Sequence, residues 1–199
     1  MRELRWIPIL VTLALIGSPG SACAGPFSLD VDILGSLPLG SVSDGRRLDE
    51  HVSAGYGVRA DVLYRVTPVF SAGLGVAAES HDAHVFAGYQ RVAATLTAIP
   101  VCAVARLHGT QTRGLRPYVE TGVGITAWDL DPAGMLLETR TQTTPCFLAG
   151  AGVSYVLSRR WDARAGIQFQ GSLTGRGEVW ASDDDPRFLV LSLGARFQR

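Results

Sequence analysis

The 199-residue sequence contains no lysine, so its 18 basic residues are all arginine, and 18 acidic residues balance them. A formal net charge of zero gives no electrostatic reason to expect nucleic-acid binding. Long hydrophobic runs are also missing, because none approaches the roughly 20 apolar residues of a membrane-spanning helix. If the chain crosses a membrane, it must do so as a closed β-barrel, the other structure that satisfies every backbone polar group in hydrocarbon.

The N-terminus has the features of a secretion signal. Arg2 and Arg5 form a positive segment, Trp6 to Ile16 is apolar but too short to span a bilayer, and Ala22-Cys23-Ala24 is a small-x-small cleavage site. The sequence predicts a signal peptide over residues 1–24 and one domain over residues 25–199. Lipidation of Cys23 is the less favoured alternative, because Gly20 stands where lipoprotein signals usually carry Leu.

Alternation of residue types is clearest from Trp161 to Phe169, where every second residue is apolar. Successive strand side chains point to opposite faces, so this segment has one fully apolar face. The same alternation recurs along the chain, but Leu63 and Val190 are apolar at positions where it calls for a polar residue. Pro100 cannot donate a ladder hydrogen bond, so it predicts a local irregularity in its strand. The predicted strands cover residues 27–33, 52–65, 69–78, 95–107, 117–128, 146–157, 161–169 and 188–197.

Glycine is concentrated on the polar face of these strands. The sequence Gly-x-Gly followed by Val or Ile occurs at residues 55–58, 73–76, 122–125 and 150–153. Because a small barrel has room for little more than its own side chains, inward glycines make space for larger inward residues. A phosphate-binding glycine loop needs a strand-to-helix turn, and these glycines lie inside strands.

The connections between the predicted strands alternate in length. Residues 66–68 and 158–160 are tight turns, and the link at 108–116 is intermediate. Short periplasmic turns and longer outer loops are typical of outer-membrane barrels. The sequence therefore predicts an all-β, transmembrane, eight-stranded antiparallel up-and-down β-barrel, with both termini in the periplasm of a bacterial outer membrane. The four predicted outer loops are 34–51, 79–92, 129–145 and 171–187.

Two segments resemble a known family. Pro117-Tyr118-Val119-Glu120-Thr121-Gly122-Val123-Gly124 and the last strand, Leu189 to Phe197, are similar to strands of small OmpA/OmpX-like outer-membrane barrels that lack a peptidoglycan-binding domain. The resemblance implies contact with outer-membrane lipid and lipopolysaccharide, and recognition of the terminal aromatic residue by the barrel-assembly machinery. Here Gln198 and Arg199 follow Phe197, whereas the family usually ends on the aromatic residue.

Charged residues on the predicted inward faces form the main candidate site. They could line an ion path, or they could pair and plug a narrow lumen. Pairing is favoured, because both signs occur in comparable number and an unpaired charge in a confined interior is costly. The predicted lumen charge network comprises Asp30, Asp32, Arg59, Asp61, Arg65, Arg106, Glu120, Asp162, Arg164 and Arg196.

Three further groups of residues are weaker candidates for a functional site or a disulfide. The segment Glu79-Ser80-His81-Asp82-Ala83-His84 could be a metal site or part of a Ser/His/acid site, although a solvated loop is favoured. Ser182-Asp183-Asp184-Asp185-Pro186 could hold a divalent cation, although a plain acidic loop is favoured. Cys102 and Cys146 could pair in an oxidising periplasm, but free thiols are slightly favoured. No cofactor, metal site or catalytic residue is predicted.

Two classes of function are open to such a barrel. The favoured one is a structural or adhesive, non-enzymatic barrel whose four outer loops meet an unidentified partner. The alternatives are a lipid-modifying enzyme similar to a lipid A deacylase, or a narrow pore. An enzyme should show a polar group in an outward apolar row, and Thr121 stands there without a matching His or acid. A soluble lipocalin-like barrel would leave a glycine-rich outer surface, which suits a sheet poorly.

Overall fold

The computed structural model describes residues 27–39, 41–42, 46–47, 51–87, 90–133, 139–172, 179 and 186–198. The predicted signal peptide over residues 1–24 and the acidic segment Ser182–Asp185 lie outside the described residues. Among the described residues, no helix is long and apolar enough to cross a membrane.

Eight strands form one closed barrel in which all neighbouring pairs are antiparallel. Consecutive strands are neighbours, and the last strand pairs with the first from Ser28↔Gln198 to Leu39↔Arg187, which closes the wall. This topology confirms the predicted fold. The strands are β1 (Phe27–Leu39), β2 (Val52–Arg65), β3 (Phe70–Ala87), β4 (Gln90–His108), β5 (Leu115–Pro132), β6 (Arg140–Val156), β7 (Trp161–Ser172) and β8 (Arg187–Gln198).

The two ends of the barrel differ in their connections. The end where β1 begins and β8 finishes, which we call the terminal end, has the short connections 66–69, 109–114 and 157–160. The opposite end, which we call the loop end, has connections 40–51, 88–89, 133–139 and 173–186. Within the first of these, Ser41–Val42 pairs with Arg46–Arg47 as a separate two-stranded sheet.

The prediction of a long loop over residues 79–92 is wrong. β3 continues to Ala87 and β4 begins at Gln90, so an extended hairpin replaces the loop. The alternation of apolar and polar residues disappears here because both faces carry polar groups: Glu79 and His81 point inward, and Ser80 and Asp82 point outward. Other predicted loops also shorten, since β1 runs to Leu39, β5 to Pro132 and β6 starts at Arg140.

Side chains point inward and outward in the predicted alternation along each strand, which we call the strand parity, with a few exceptions. Leu63 and Val190, which break the apolar-polar alternation, keep the strand geometry and are buried inside the barrel. Val52, which the apolar-polar alternation of β2 would place on the outer face, is also buried, because the β2–β3 register shifts between Val52 and Gly55. Such a bulge inserts one residue and so reverses the facing of the residues on its far side. At Pro100 the β4–β5 register stays continuous, but the β3–β4 ladder is interrupted at Ile99 and Pro100, between Val76↔Val101 and Glu79↔Ala98.

The outer wall carries an apolar belt with a distinct edge at each end. At the terminal end, aromatic rings meet in two pairs: Phe27 with Tyr64 and Trp161 with Phe197, both with centroids 5.1 Å apart. Aromatic rings of this kind mark membrane–water interfaces. Towards the loop end the outward row becomes polar, and the register aligns its members side by side across four strands: Ser80, Thr97, Asp129 and Thr141.

The interior is filled by three groups of side chains in succession. A buried network of charged residues, with Asp30 and Arg106 at its centre, lies towards the terminal end. A small apolar group is next along the axis, made of Leu63, Cys102, Val104, Cys146 and Leu148. A larger apolar cluster occupies the loop end, where Trp128 stacks on Phe188 at 5.9 Å and donates its indole N–H to Thr144 Oγ1 at 2.8 Å.

Candidate functional site: the charge network inside the barrel

Strand parity brings most of the predicted charged residues into the lumen. The polar face of each strand turns inward, so side chains from β1, β2, β4, β5, β7 and β8 converge on the axis. Their charged ends lie within a few ångströms of one another and are shielded from solvent. The buried members are Asp30, Asp32, Arg59, Asp61, Arg106, Glu120, Asp162, Arg164 and Arg196.

Asp30 and Arg106 are the centre of this network. Arg106 is fully buried and contacts three carboxylates: Asp30, Asp61 Oδ2 at 3.0 Å and Glu120 Oε2 at 2.6 Å. Asp30 in turn accepts hydrogen bonds from Arg106, from Arg164 Nη1 at 2.7 Å and from Arg196 Nε at 2.8 Å. Each of the two therefore neutralises several partners across the lumen.

Arg59 and Arg164 extend the network on either side. Arg59 donates to Asp61 Oδ1 at 2.7 Å and to Gln168 Oε1 at 2.7 Å. Arg164 contacts Asp32 Oδ2 at 3.1 Å and donates to the Tyr118 hydroxyl at 3.0 Å. The guanidinium groups of Arg106 and Arg164 also lie 5.0 Å and 4.9 Å from the centre of the Tyr118 ring, within cation–π range.

Two of the inward glycines provide the space for this arrangement. A Cβ atom on Gly75 would lie 2.3 Å from Asp61 Oδ1, and one on Gly152 would lie 2.5 Å from the Tyr118 hydroxyl. Neither position could hold a larger residue without moving a member of the network or its aromatic partner. This confirms the predicted role of the glycine-rich inner face.

The core of the network is balanced in charge. Arg59, Arg106, Arg164 and Arg196 face the four carboxylates Asp30, Asp32, Asp61 and Glu120. Removing ions from water costs several kcal/mol each, and only close pairing with further hydrogen bonds offsets that cost. The observed multiple contacts meet this requirement, so the geometry is that of a compact ionic plug.

Two predicted members do not belong to this core. Arg65 points inward by parity, but it lies at the end of β2 and is exposed, where it donates to Gln198 Oε1 at 2.5 Å. Arg65 therefore lies outside the buried part of the predicted lumen charge network. Asp162 is buried and accepts a hydrogen bond from Gln198 Nε2 at 2.5 Å, which places it at the rim beside Arg65.

The sequence interpretation missed a second polar group nearer the loop end. His81 Nε2 lies 3.1 Å from Ser36 Oγ and 3.9 Å from Glu79 Oε2, while His81 Nδ1 lies 3.1 Å from the Ser53 carbonyl oxygen. All three side chains of Ser36, Glu79 and His81 are buried. Continuing the period-2 count of β3 past Ala78 would have placed Glu79 and His81 inside the barrel.

A cavity of about 10 Å³ separates the ionic plug from this group. Arg59, Glu79 and Gln168 line it, and each has a buried polar atom without a hydrogen-bond partner among the described residues: Nη2, Oε1 and Nε2. A cavity of this size accommodates about one water molecule. The space between the ionic plug and the His81 group is therefore about the size of one water molecule.

On the outer face of β3, Ser80 and His84 lie too far apart to act as a Ser/His pair. Ser80, Asp82 and His84 share the outer face of β3, but alternate residues of a strand are about 6.5 Å apart, so Ser80 and His84 are separated by about 13 Å. The Thr121 hydroxyl donates to the Leu148 carbonyl oxygen at 3.1 Å. In the described ranges, no three His, Cys, Asp or Glu residues are grouped to hold a metal ion.

Three solved structures have an architecture similar to that of this chain. Neisserial surface protein A (NspA) has 19% identity and a TM-score of 0.60, covering 87% of this chain and 97% of that chain. OprG from Pseudomonas aeruginosa has 15% identity and a TM-score of 0.62, covering 87% and 95%. Ail of Yersinia pestis has 14% identity and a TM-score of 0.51, covering 87% and 99%. At these identities the similarity establishes the fold.

No curated protein matches the chain in sequence. A family model does match, and it is described as the outer membrane protein beta-barrel domain; the match extends over residues 10–197, nearly the whole chain. The closed eight-stranded wall, the lipid-facing belt and the buried ionic interior agree with that match. This chain belongs to the outer membrane protein β-barrel family, and it is a small transmembrane barrel of the bacterial outer membrane.

Proposed function

We propose that this barrel is a non-enzymatic scaffold that holds interaction loops at the cell surface. The observation that carries the proposal is the filled interior: the ionic plug and the apolar cluster around Trp128 and Phe188 together occupy the lumen. A barrel closed in this way offers neither a passage nor an internal binding chamber. The surface that remains for interaction is the set of connections at the loop end.

The asymmetry of the barrel supports this role. Connections 40–51 and 173–186 at the loop end are far longer than 66–69 and 157–160 at the terminal end. Long connections on a rigid scaffold commonly carry binding function. The names of two structural neighbours agree with a role at the cell surface. NspA is a neisserial surface protein, and Ail is an attachment invasion locus protein that was crystallised with the heparin analogue sucrose octasulfate.

The membrane partners are inferred from the outer wall. The polar row Ser80, Thr97, Asp129 and Thr141 lies directly above the apolar belt, at the level expected for lipopolysaccharide headgroups. We assign outer-membrane lipid and lipopolysaccharide as the surroundings of this wall. The alternating strand that ends near Phe197 is the segment that the barrel-assembly machinery would recognise during insertion.

Adhesion by intact cells tests the scaffold proposal. A non-adherent Gram-negative host displaying the full chain should bind cultured epithelial cells or immobilised heparin more strongly than the same host with an empty vector. A variant with residues 40–50 and 173–185 shortened to tight turns should lose that binding. Its unheated form should still migrate as a folded barrel in a detergent gel.

A matched control replaces the same segments with Gly/Ser sequences of equal length. Loss of adhesion in both variants assigns the binding to loop side chains. Full adhesion by the shortened variant, or none by the wild type, would contradict the proposal. Incubating the purified protein with lipopolysaccharide and weighing the products tests the enzyme alternative, and a deacylated product would replace the scaffold role with a catalytic one.

A further inference from the structure

Cys102 and Cys146 meet inside the barrel although they lie on different, non-adjacent strands. Their Sγ atoms are 3.6 Å apart, and both side chains are buried. The register explains the meeting, because Cys102 of β4 and Cys146 of β6 both pair with Gly124 of β5. The two thiols therefore point inward at the same height on either side of a residue without a side chain.

The wall is shaped to allow this approach. A Cβ atom on Gly124 would lie 2.7 Å from Cys102 Cα and 2.0 Å from the Val101 carbonyl oxygen, so only glycine fits between the two cysteines. Some Cα atoms of β4 and β6 also come within 8 Å of each other, closer than the roughly 9.5 Å between two strands that flank a third in a flat sheet. Glycines on the inner face permit such curvature.

The surroundings favour bonding of the two sulphur atoms to each other over a bridging metal ion. Leu63, Val104 and Leu148 enclose the pair in an apolar group, and the described residues offer no cluster of three metal-ligating side chains. The nearby cavity is lined by Arg59, whose positive charge opposes a bound cation. The sulphurs need to approach by about 1.5 Å to reach the disulfide bond length of about 2.05 Å.

We propose that Cys102 and Cys146 are joined by an intramolecular disulfide in the mature outer-membrane protein. The chain reaches the outer membrane through the periplasm, where disulfides form and persist. The bond must form before the barrel closes, because the folded wall and the plug bury both thiols.

The reaction is an exchange with the disulfide of a periplasmic thiol oxidase. The thiolate of one cysteine attacks the oxidase disulfide and forms a mixed disulfide, releasing one oxidase thiolate. The thiolate of the second cysteine then attacks the sulphur of the first cysteine in that mixed disulfide, which forms the Cys102–Cys146 bond and releases the second oxidase thiolate. Two electrons pass to the oxidase, which becomes a dithiol, and the two protons lost by the cysteines balance the charge.

Thiol counting on protein taken from native outer membranes tests the bond. The full-length protein should be isolated without reductant and denatured in the presence of excess maleimide. We expect no alkylation of Cys102 or Cys146 before reduction and alkylation of both after it. The unreduced mature chain should be lighter than the reduced chain by two hydrogen atoms, and it should migrate faster when denatured.

Matched variants separate the disulfide from other causes of protection. Cys102→Ser and Cys146→Ser should each expose one alkylatable thiol, and the double variant should show no mobility change on reduction. Uptake of two maleimides by the unreduced wild type would overturn the proposal, as would a disulfide-linked dimer. The oxidised protein must also refold to the heat-modifiable form; refolding of the reduced form alone would likewise overturn it.

Discussion

Arg106 is fully enclosed in the barrel, and its guanidinium group contacts Asp30, Asp61 and Glu120. Arg106→Ala would leave these carboxylates short of a counter-charge in a confined space. Breaking a buried pair typically costs about 3–5 kcal/mol, a cost that lumen water reduces. We expect the free energy of unfolding to decrease by an amount approaching that range, as measured by urea titration of the protein in lipid vesicles.

Two companion variants show whether the loss comes from the ionic contacts. A second change, Glu120→Gln, should restore part of the stability because it removes one of the stranded charges. Arg65→Ala provides a matched control, since Arg65 is also inward by parity but exposed at the rim, and its loss should change stability by about 0.5 kcal/mol or less. Equal losses for Arg65 and Arg106 would refute the plug.

The individual contacts within the charge network could not be predicted from the sequence. Parity identifies Asp30 and Arg106 as inward residues, but their encounter joins β1 to β4 across the lumen. It depends on strand stagger and barrel closure, which the local pattern does not encode. Arg65 shows the opposite limit, because parity alone gives the direction of a side chain and not its depth relative to the rim.

Among the elements, β3 shows best what alternation predicts and where it stops. From Phe70 to Ala78 the outward residues are apolar, so the sequence identifies the strand correctly. Beyond Ala78 the outer face leaves the apolar belt, both faces become polar and the signal vanishes, although the backbone ladder continues to Ala87. Strand length above the membrane is therefore set by pairing with β4, which a single-strand pattern cannot show.

The belt on β3 makes a quantitative prediction about depth. Leu74 is 65% exposed on the outer face, near the middle of the apolar row, so Leu74→Arg places a charge against lipid. We expect a loss of about 2–4 kcal/mol near the midplane. Val69→Arg, at the tight turn of the terminal end, should cost no more than about 1 kcal/mol. A vesicle-based unfolding assay that ranked Val69→Arg as the worse change would show that the belt is misplaced.

For the whole molecule, the unequal connections predict how the barrel is oriented. Single cysteines at Ala133 and Thr139, both exposed at the loop end, should react with a membrane-impermeant maleimide on intact cells. Cysteines at Thr67 and Arg159, exposed at the terminal end, should react only after the outer membrane is permeabilised. The native Cys102 and Cys146 are buried and give little background. Labelling of Thr67→Cys on intact cells would reverse the orientation.

The filled lumen also predicts the electrical behaviour of the whole barrel. An ion entering from the loop end would first meet the apolar cluster of Trp128 and Phe188, and then a cavity with room for about one water molecule. Beyond the cavity, the arginines and carboxylates are paired with one another, so none of these charged groups is free to bind a passing ion. We therefore expect no steady conductance from the wild-type protein in planar lipid bilayers, under conditions where insertion is verified by heat-modifiable migration.

Loosening either obstruction alone should not create a channel, because the other remains. Phe188→Ala shortens the apolar cluster, and Arg164→Ala weakens the ionic plug and lowers stability through the loss of its contacts with Asp30 and Asp32. Neither variant should conduct steadily in the same bilayers. A stable open channel in the wild type, whose ion selectivity changes in Arg164→Ala while the unfolding free energy does not, would show that the inward charges line a path instead of closing one.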